Sequence, residues 1–145
     1  VLMLPPIFLG EKRGRMKHVF VAAIILLLLV EIGLRAAIVQ SALSFQLVVM
    51  LLLAFFVAFN ILEASQPSLV SRLAPAGARG AALGVYNTMQ AIGLFAGGAG
   101  GGLLAQYFGA PAVFTAGCLL TVAWLIIAAS MKNLPRRLKQ AATVP

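Results

Sequence analysis

Apolar positions in this chain come in long, nearly unbroken runs. Four stretches, 18–36, 42–64, 81–108 and 111–131, consist almost wholly of Leu, Ile, Val, Ala, Phe and Gly. Each offers the roughly 20 residues that a helix needs to cross about 30 Å of hydrocarbon. Polar residues and helix breakers collect between them. The segment 65–80, SQPSLVSRLAPAGARG, has two prolines, two glycines and two arginines. Residues 108–111, FGAP, read as a tight turn whose proline starts the next helix. The pattern predicts an all-α fold, a polytopic transmembrane helix bundle with four spans and a loop over 65–80.

Composition supports lipid as the solvent. Of the 145 residues 62% are hydrophobic and 10% charged, against nearer half and a quarter in soluble domains. The net charge of +8 could suggest a nucleic-acid partner, but its distribution argues against one. Lys12, Arg13, Arg15 and Lys17 precede the first span, Arg72 and Arg79 lie between the second and third, and Lys132, Arg136, Arg137 and Lys139 follow the fourth. The two opposite loops have Arg35 at most. Basic residues thus flank spans on one side, which makes residues 11–17, the middle loop and the tail 132–145 cytoplasmic by the positive-inside rule. Cys118, alone in an apolar run, reads as a packed thiol and excludes disulfides and cysteine-based zinc sites.

Residues 1–10, VLMLPPIFLG, are apolar but too short to span. Their basic residues follow the apolar stretch, the reverse of a signal peptide. The segment reads as the cytoplasmic end of a further helix, and the chain as part of a longer protein.

The run 93–109, GLFAGGAGGGLLAQYFG, raises the question of a phosphate loop. Gly100, Gly102 and Ala105 satisfy the permissive dinucleotide pattern, but that fingerprint needs a preceding strand and an acid about twenty residues on. No acid follows. Gly93, Gly97 and Gly101 recur every four residues, with Gly98 and Gly102 beside them. On a helix this spacing makes a smooth ridge where a neighbouring backbone can approach closely. No cofactor, metal site or catalytic group is expected.

The run 59–93, FNILEASQPSLVSRLAPAGARGAALGVYNTMQAIG, resembles the segment between helices 10 and 11 of major facilitator superfamily transporters, especially the YajR-like drug/proton antiporter group. EKRGR at 11–15 is similar to a degenerate copy of that family's cytoplasmic motif, G-x-x-x-D-R/K-x-G-R/K-R/K. Glu11 stands for the Asp, and Lys12, Gly14 and Arg15 match; Ile7 and Met16 depart from the pattern. The resemblance implies that the spans are helices 9 to 12, part of the C-terminal six-helix half of the fold. It implies a substrate site near the midplane between two bundles, with the N-terminal half absent from this chain. It also implies a bacterial inner-membrane setting with small-molecule substrate and proton as partners.

Acids within spans are expensive and invite a role. Glu63 lies at the depth of the EKRGR loop, and pairing with Arg15 would make Glu11, Arg15 and Glu63 a cytoplasmic gate or a static anchor. Glu31 has Arg35 four residues on, the favourable order for a helical ion pair, so an interfacial salt bridge is expected there in preference to a proton-carrying acid. Gln46, Leu53 and Asn60 share a face at seven-residue steps, beside Met50 and Val57. The resemblance makes that helix cavity-lining, so Gln46 and Asn60 are candidates for substrate contact. Interhelical hydrogen bonding is the alternative. Asn87, Thr88 and Gln90 read first as helix-to-helix donors and second as cavity lining. His18 reads as an interfacial histidine, and Trp124 as a packing or lipid-facing residue.

The function expected is the C-terminal part of a secondary transporter, exporting a small amphipathic compound in exchange for protons by alternating access. The alternative is a small four-helix membrane scaffold or subunit that oligomerises through the glycine ridge of Gly93, Gly97 and Gly101.

Overall fold

The computed structural model describes residues 16–130, and every regular element among them is helical. Four helices run in sequence: α1 Met16–Val39, α2 Phe45–Leu73, α3 Arg79–Phe108 and α4 Ala110–Ser130, with a 3₁₀ turn Ala76–Ala78 before α3. Short connections send the chain up and down. The ends at Met16, Leu73, Arg79 and Ser130 therefore form one end of the bundle, and those at Val39, Phe45, Phe108 and Ala110 the other. Among the described basic residues, Lys17, Arg72 and Arg79 lie at the first of these ends.

Local chemistry sets several boundaries. Ser44 caps α2 through its hydroxyl, which accepts from Leu47 N at 3.2 Å. The turn between α3 and α4 passes through Gly109 at φ 79, a left-handed conformation that glycine adopts without a Cβ clash. Pro111 follows in the first turn of α4, where its missing N–H leaves no helical bond unmade.

The main departure from the sequence reading is at the end of α2. The span expected to stop at residue 64 continues as helix to Leu73, through Pro67, so most of the expected loop 65–80 is helical. Proline removes one backbone bond and discourages helix at the residue before it. Packing outweighs both here. Leu69 is 7% exposed and joins Phe20, Ala23, Ile24, Ile61, Leu62 and Ala128 in one cluster, with Trp124 against it. Ending the helix at 64 would withdraw Leu69 from these neighbours.

That cluster is where α1, α2 and α4 meet. Ile24 is fully buried at its centre, and Phe20 meets Trp124 edge to face, ring centroids 5.8 Å apart. Trp124 is thus a packing residue. Lys17 Nζ donates to the Ala129 carbonyl at 2.8 Å, placing a cation at the negative end of α4. α3 differs: it touches α2 and α4 more lightly and has no buried residue. Among the described residues three helices, Lys17–Val39, Phe45–Leu73 and Ala110–Ser130, are long and apolar enough to cross a membrane by length and composition. α3, the longest at 30 residues, falls short of that measure because its glycines add length without apolar surface.

Candidate functional site

α2 is two-sided. Its buried positions, Ala58, Ile61, Leu62, Ser65 and Leu69, lie in its second half against the core. Gln46, Met50, Leu53 and Val57, on the stripe predicted to line a cavity, are all exposed. Asn60 ends that stripe half-buried, and its Nδ2 donates to the Phe56 carbonyl of its own helix at 2.6 Å. One amide hydrogen is thereby committed, leaving the second N–H and the carbonyl oxygen free to bind. Ser65 makes the same kind of bond, Oγ to the Ile61 carbonyl at 2.6 Å.

On α3, Asn87 is exposed and Gln90 half-buried. Thr88 bonds back to the Gly84 carbonyl at 3.0 Å. No hydrogen bond joins Gln46, Asn60, Asn87 and Gln90 to one another among the described residues. They stand on two adjacent helices whose outer faces the described residues leave largely uncovered. The same is true of the glycine ridge. A Cβ built at Gly93, Gly97 or Gly101 would meet nothing within 4 Å.

Close approach occurs instead at two glycines that the sequence did not single out. A Cβ at Gly33 on α1 would come within 3.1 Å of Leu51 Cδ2 on α2, and one at Gly117 on α4 within 3.1 Å of Glu31 Oε1. Neither has a periodic partner, so no spacing marked them.

The Glu31 position corrects the expected ion pair. Arg35 turns to α4, where its Nε donates to Thr115 Oγ1 at 2.8 Å, and the Thr115 hydroxyl in turn donates to the Pro111 carbonyl at 2.7 Å. The Glu31 carboxyl group instead lies over Gly117, next to Thr121, which is 5% exposed. Its Oε2 is buried without a hydrogen-bond partner. Helical spacing alone favoured the pair; a glycine on the facing helix offered the carboxyl group a closer seat.

Glu11 and Arg15 lie outside the described residues. Glu63, the third expected gate residue, is exposed and within electrostatic reach of Tyr86 on α3. Tyr86 donates its hydroxyl to Gln66 Oε1 at 2.8 Å, tying α2 to α3 beside Glu63. The sequence reading missed Gln66 and Tyr86 because it placed Gln66 in a loop. With the helix continued through Pro67, Gln66 falls one turn from Glu63 on the same face.

No group of three His, Cys, Asp or Glu that could hold a metal occurs among the described residues. The arrangement offers binding surface and amides.

Comparison with known proteins bears on what such a surface serves. The family model described as Major Facilitator Superfamily matches residues 1–143. The chain is also similar to the inner membrane transport protein YajR of Escherichia coli (strain K12), with 44% identity over 133 residues. That match covers 92% of this chain and 28% of the relative, so the chain spans little more than a quarter of the curated protein it matches.

Proposed function

The chain belongs to the Major Facilitator Superfamily, and from that premise we propose that it forms the C-terminal part of a secondary transporter, α1 to α4 serving as helices 9 to 12. The complete protein moves a small amphipathic compound out of the cell in exchange for protons by alternating access. Its missing N-terminal half supplies the other wall of the pathway. The setting is the inner membrane of a bacterium, with the tail 132–145 and the basic flanks on the cytoplasmic side.

The observation that carries this reading is the uncovered face of α2 and α3. It is apolar apart from well-separated amides, the mixture expected of a wall that receives amphipathic molecules. Gln46 and Asn60 on α2, with Asn87 and Gln90 on α3, are the proposed substrate contacts. The open ridge at Gly93, Gly97 and Gly101 is where a helix of the complete protein packs or slides as the two halves rock.

At the basic end, Glu63 pairs with Arg15 beside Glu11 when the cytoplasmic side is closed. The Tyr86–Gln66 contact holds the α2 and α3 ends at a fixed spacing there. Glu63 itself is exposed within this chain, which supports a partner outside α1 to α4.

The test is transport by the full-length protein in inside-out membrane vesicles, using a fluorescent lipophilic amine as probe. Uptake driven by an imposed proton gradient, abolished by a protonophore and reduced by Gln46→Leu, supports the reading. Gradient-insensitive binding in its place overturns it. The scaffold alternative draws on the same open ridge and predicts that Gly97→Leu breaks a homo-oligomer while no gradient-driven uptake exists at all.

A further inference from the structure

α1 and α4 share a seam, and one stripe of α1 lines it from end to end. His18, Val21, Ile25, Leu28, Ile32 and Arg35 follow one another at three- and four-residue steps, so they occupy a single helical face. Two grooves open along this stripe. One, of about 370 Å³, lies beside Lys17 and His18; the other, of about 220 Å³, runs past Leu28 and Ile32 to Arg35. α4 forms the far wall of the second groove with Thr115, Leu119 and Val122, and no residue of α2 or α3 lines it. The groove is therefore on a different side of the chain from the uncovered α2 and α3 face.

Depth follows from helix geometry. Lys17 and Arg35 are about 27 Å apart along α1 at 1.5 Å per residue, close to the thickness of the hydrocarbon layer. With Lys17 at one interface, Arg35 stands at the other, where lipid phosphates lie. The guanidinium is held there by a two-bond relay, Nε to Thr115 Oγ1 and Thr115 hydroxyl to the Pro111 carbonyl. One nitrogen is used as an anchor, and the terminal nitrogens of this exposed side chain are left for an external acceptor. The nearest acid on the helix does not compete, because Glu31 is turned into the seam over Gly117 and does not line the groove.

We infer that this groove is a binding site for one anionic glycerophospholipid of the outer leaflet. The phosphate accepts hydrogen bonds from the terminal guanidinium nitrogens of Arg35, and an acyl chain lies along Leu28, Ile32, Leu119 and Val122. Charge complementarity selects the headgroup. A lone cation without an acidic partner favours a lipid of net negative charge over a zwitterion, whose ammonium already accompanies its phosphate. Arginine suits the task because its planar fork meets two phosphate oxygens at once. The inference rests on the chain spanning the membrane with Arg35 on the outer side.

The experiment is native mass spectrometry of the full-length protein, delipidated in detergent and titrated with phosphatidylglycerol or phosphatidylcholine. The expected result is one phosphatidylglycerol retained in preference to phosphatidylcholine. Arg35→Gln should lower its occupancy about fivefold, the weight of one cationic side chain near a lipid surface. Leu119→Trp, which fills the groove and leaves the charge, should lower it as well, and Arg35→Lys should keep part of the preference. If Arg35→Gln does not fold, the Leu119→Trp and Arg35→Lys pair decides the question. Equal retention of the two lipids by the unaltered protein, undiminished phosphatidylglycerol in both Arg35→Gln and Leu119→Trp, or displacement by millimolar inorganic phosphate would each overturn the assignment.

Discussion

α1 and α3 are both long helices of a membrane family, yet they keep opposite company. α1 buries Phe20, Ala23, Ile24, Val30 and Ala37 between α2 and α4, whereas α3 buries nothing in its 30 residues. Apolar character, in which α3 falls short of α1, does not account for this, since lipid tails are as apolar as leucine and give no hydrophobic drive for one helix to seek another. Shape does. Branched and aromatic side chains on α1 interlock with two neighbours at once, while glycines on α3 leave a ridge that only a closely fitting partner could fill. The packed seam is filled by described residues of this chain, whereas a Cβ at Gly93, Gly97 or Gly101 meets none of them.

The sharpest break in that comparison is a matched pair of truncations. Ile24→Ala empties the centre of the α1, α2 and α4 contact and should destabilise the full-length protein by about 2 kcal/mol, the low end for a buried aliphatic side chain because lipid, not water, solvates the separated helices. Ile92→Ala, on α3 where the side chain is 55% exposed, should change stability by less than about 0.5 kcal/mol. Thermal unfolding in detergent measures both. Equal shifts would mean that Ile92 is as closely packed in the complete protein as Ile24 is here.

Glycines sharpen the contrast next. Gly117→Ala brings a Cβ to 3.1 Å from Glu31 Oε1, so the carboxyl group must give by a few tenths of an ångström, at a cost of at most about 1 kcal/mol, the low end of overpacking. Gly97→Ala meets nothing among the described residues, so apart from the helix-propensity gain of about 1 kcal/mol its effect in the full-length protein reports on helices outside α1 to α4. Under the proposed function Gly97→Leu lowers the transport rate about tenfold while leaving the unfolding midpoint of the α1 seam in place. That factor corresponds to an overpacking cost of about 1.4 kcal/mol. A transport rate unchanged by Gly97→Leu would remove the moving-ridge reading.

Much of this fold was legible in the sequence because long apolar helices announce themselves by length and composition, α3 less than the other three. The four runs of apolar residues located α1 to α4, and the family followed from residues 59–93 and the EKRGR motif. What escaped were features set by a neighbouring helix. Pro67, with Pro75 and two glycines after it, argued for a loop from residue 65, and only the burial of Leu69 in the cluster with α1 shows why the helix runs on. The Glu31 and Arg35 spacing argued for a pair within one helix, but Thr115 and Gly117 on α4 drew the two side chains apart. Gln46 and Asn60 were found by periodicity, which places residues on a face without saying what faces them. Tyr86 and Gln66, twenty residues apart, had no spacing to connect them.

The amides give a smaller effect than the glycines. Gln46→Leu and Asn60→Leu should each weaken apparent substrate affinity about fivefold, the weight of one hydrogen bond of roughly 1 kcal/mol in a membrane protein, with the maximal rate little altered. Substrate concentration curves in vesicles read both numbers. Asn60 is the more informative of the two because its Nδ2 already serves Phe56. Asn60→Asp, which keeps an acceptor and removes that donor, should lose as much as Asn60→Leu if the backbone bond positions the side chain, and less if only the acceptor matters.

The smallest expected effect tests whether α2 and α3 are coupled at the end where Glu63 lies. Tyr86→Phe deletes one hydrogen bond to Gln66 and leaves the ring in place, a change of about 0.6 kcal/mol by the average for interhelical bonds in membranes. Global stability would hardly register it. Under the proposed function the inward/outward balance should, since an energy of that size shifts a two-state equilibrium about threefold when the bond exists in one state only. Accessibility of a cysteine placed at Gln46, in a background lacking Cys118, reads that balance from the opposite end of α2. A shift in Tyr86→Phe that is reproduced by Gln66→Leu and not increased in the double variant would identify the Tyr86–Gln66 contact as a state-dependent link. Independent, additive shifts would make the two residues unrelated contributors, and the packed seam of α1 would then be the only rigid reference against which α3 moves.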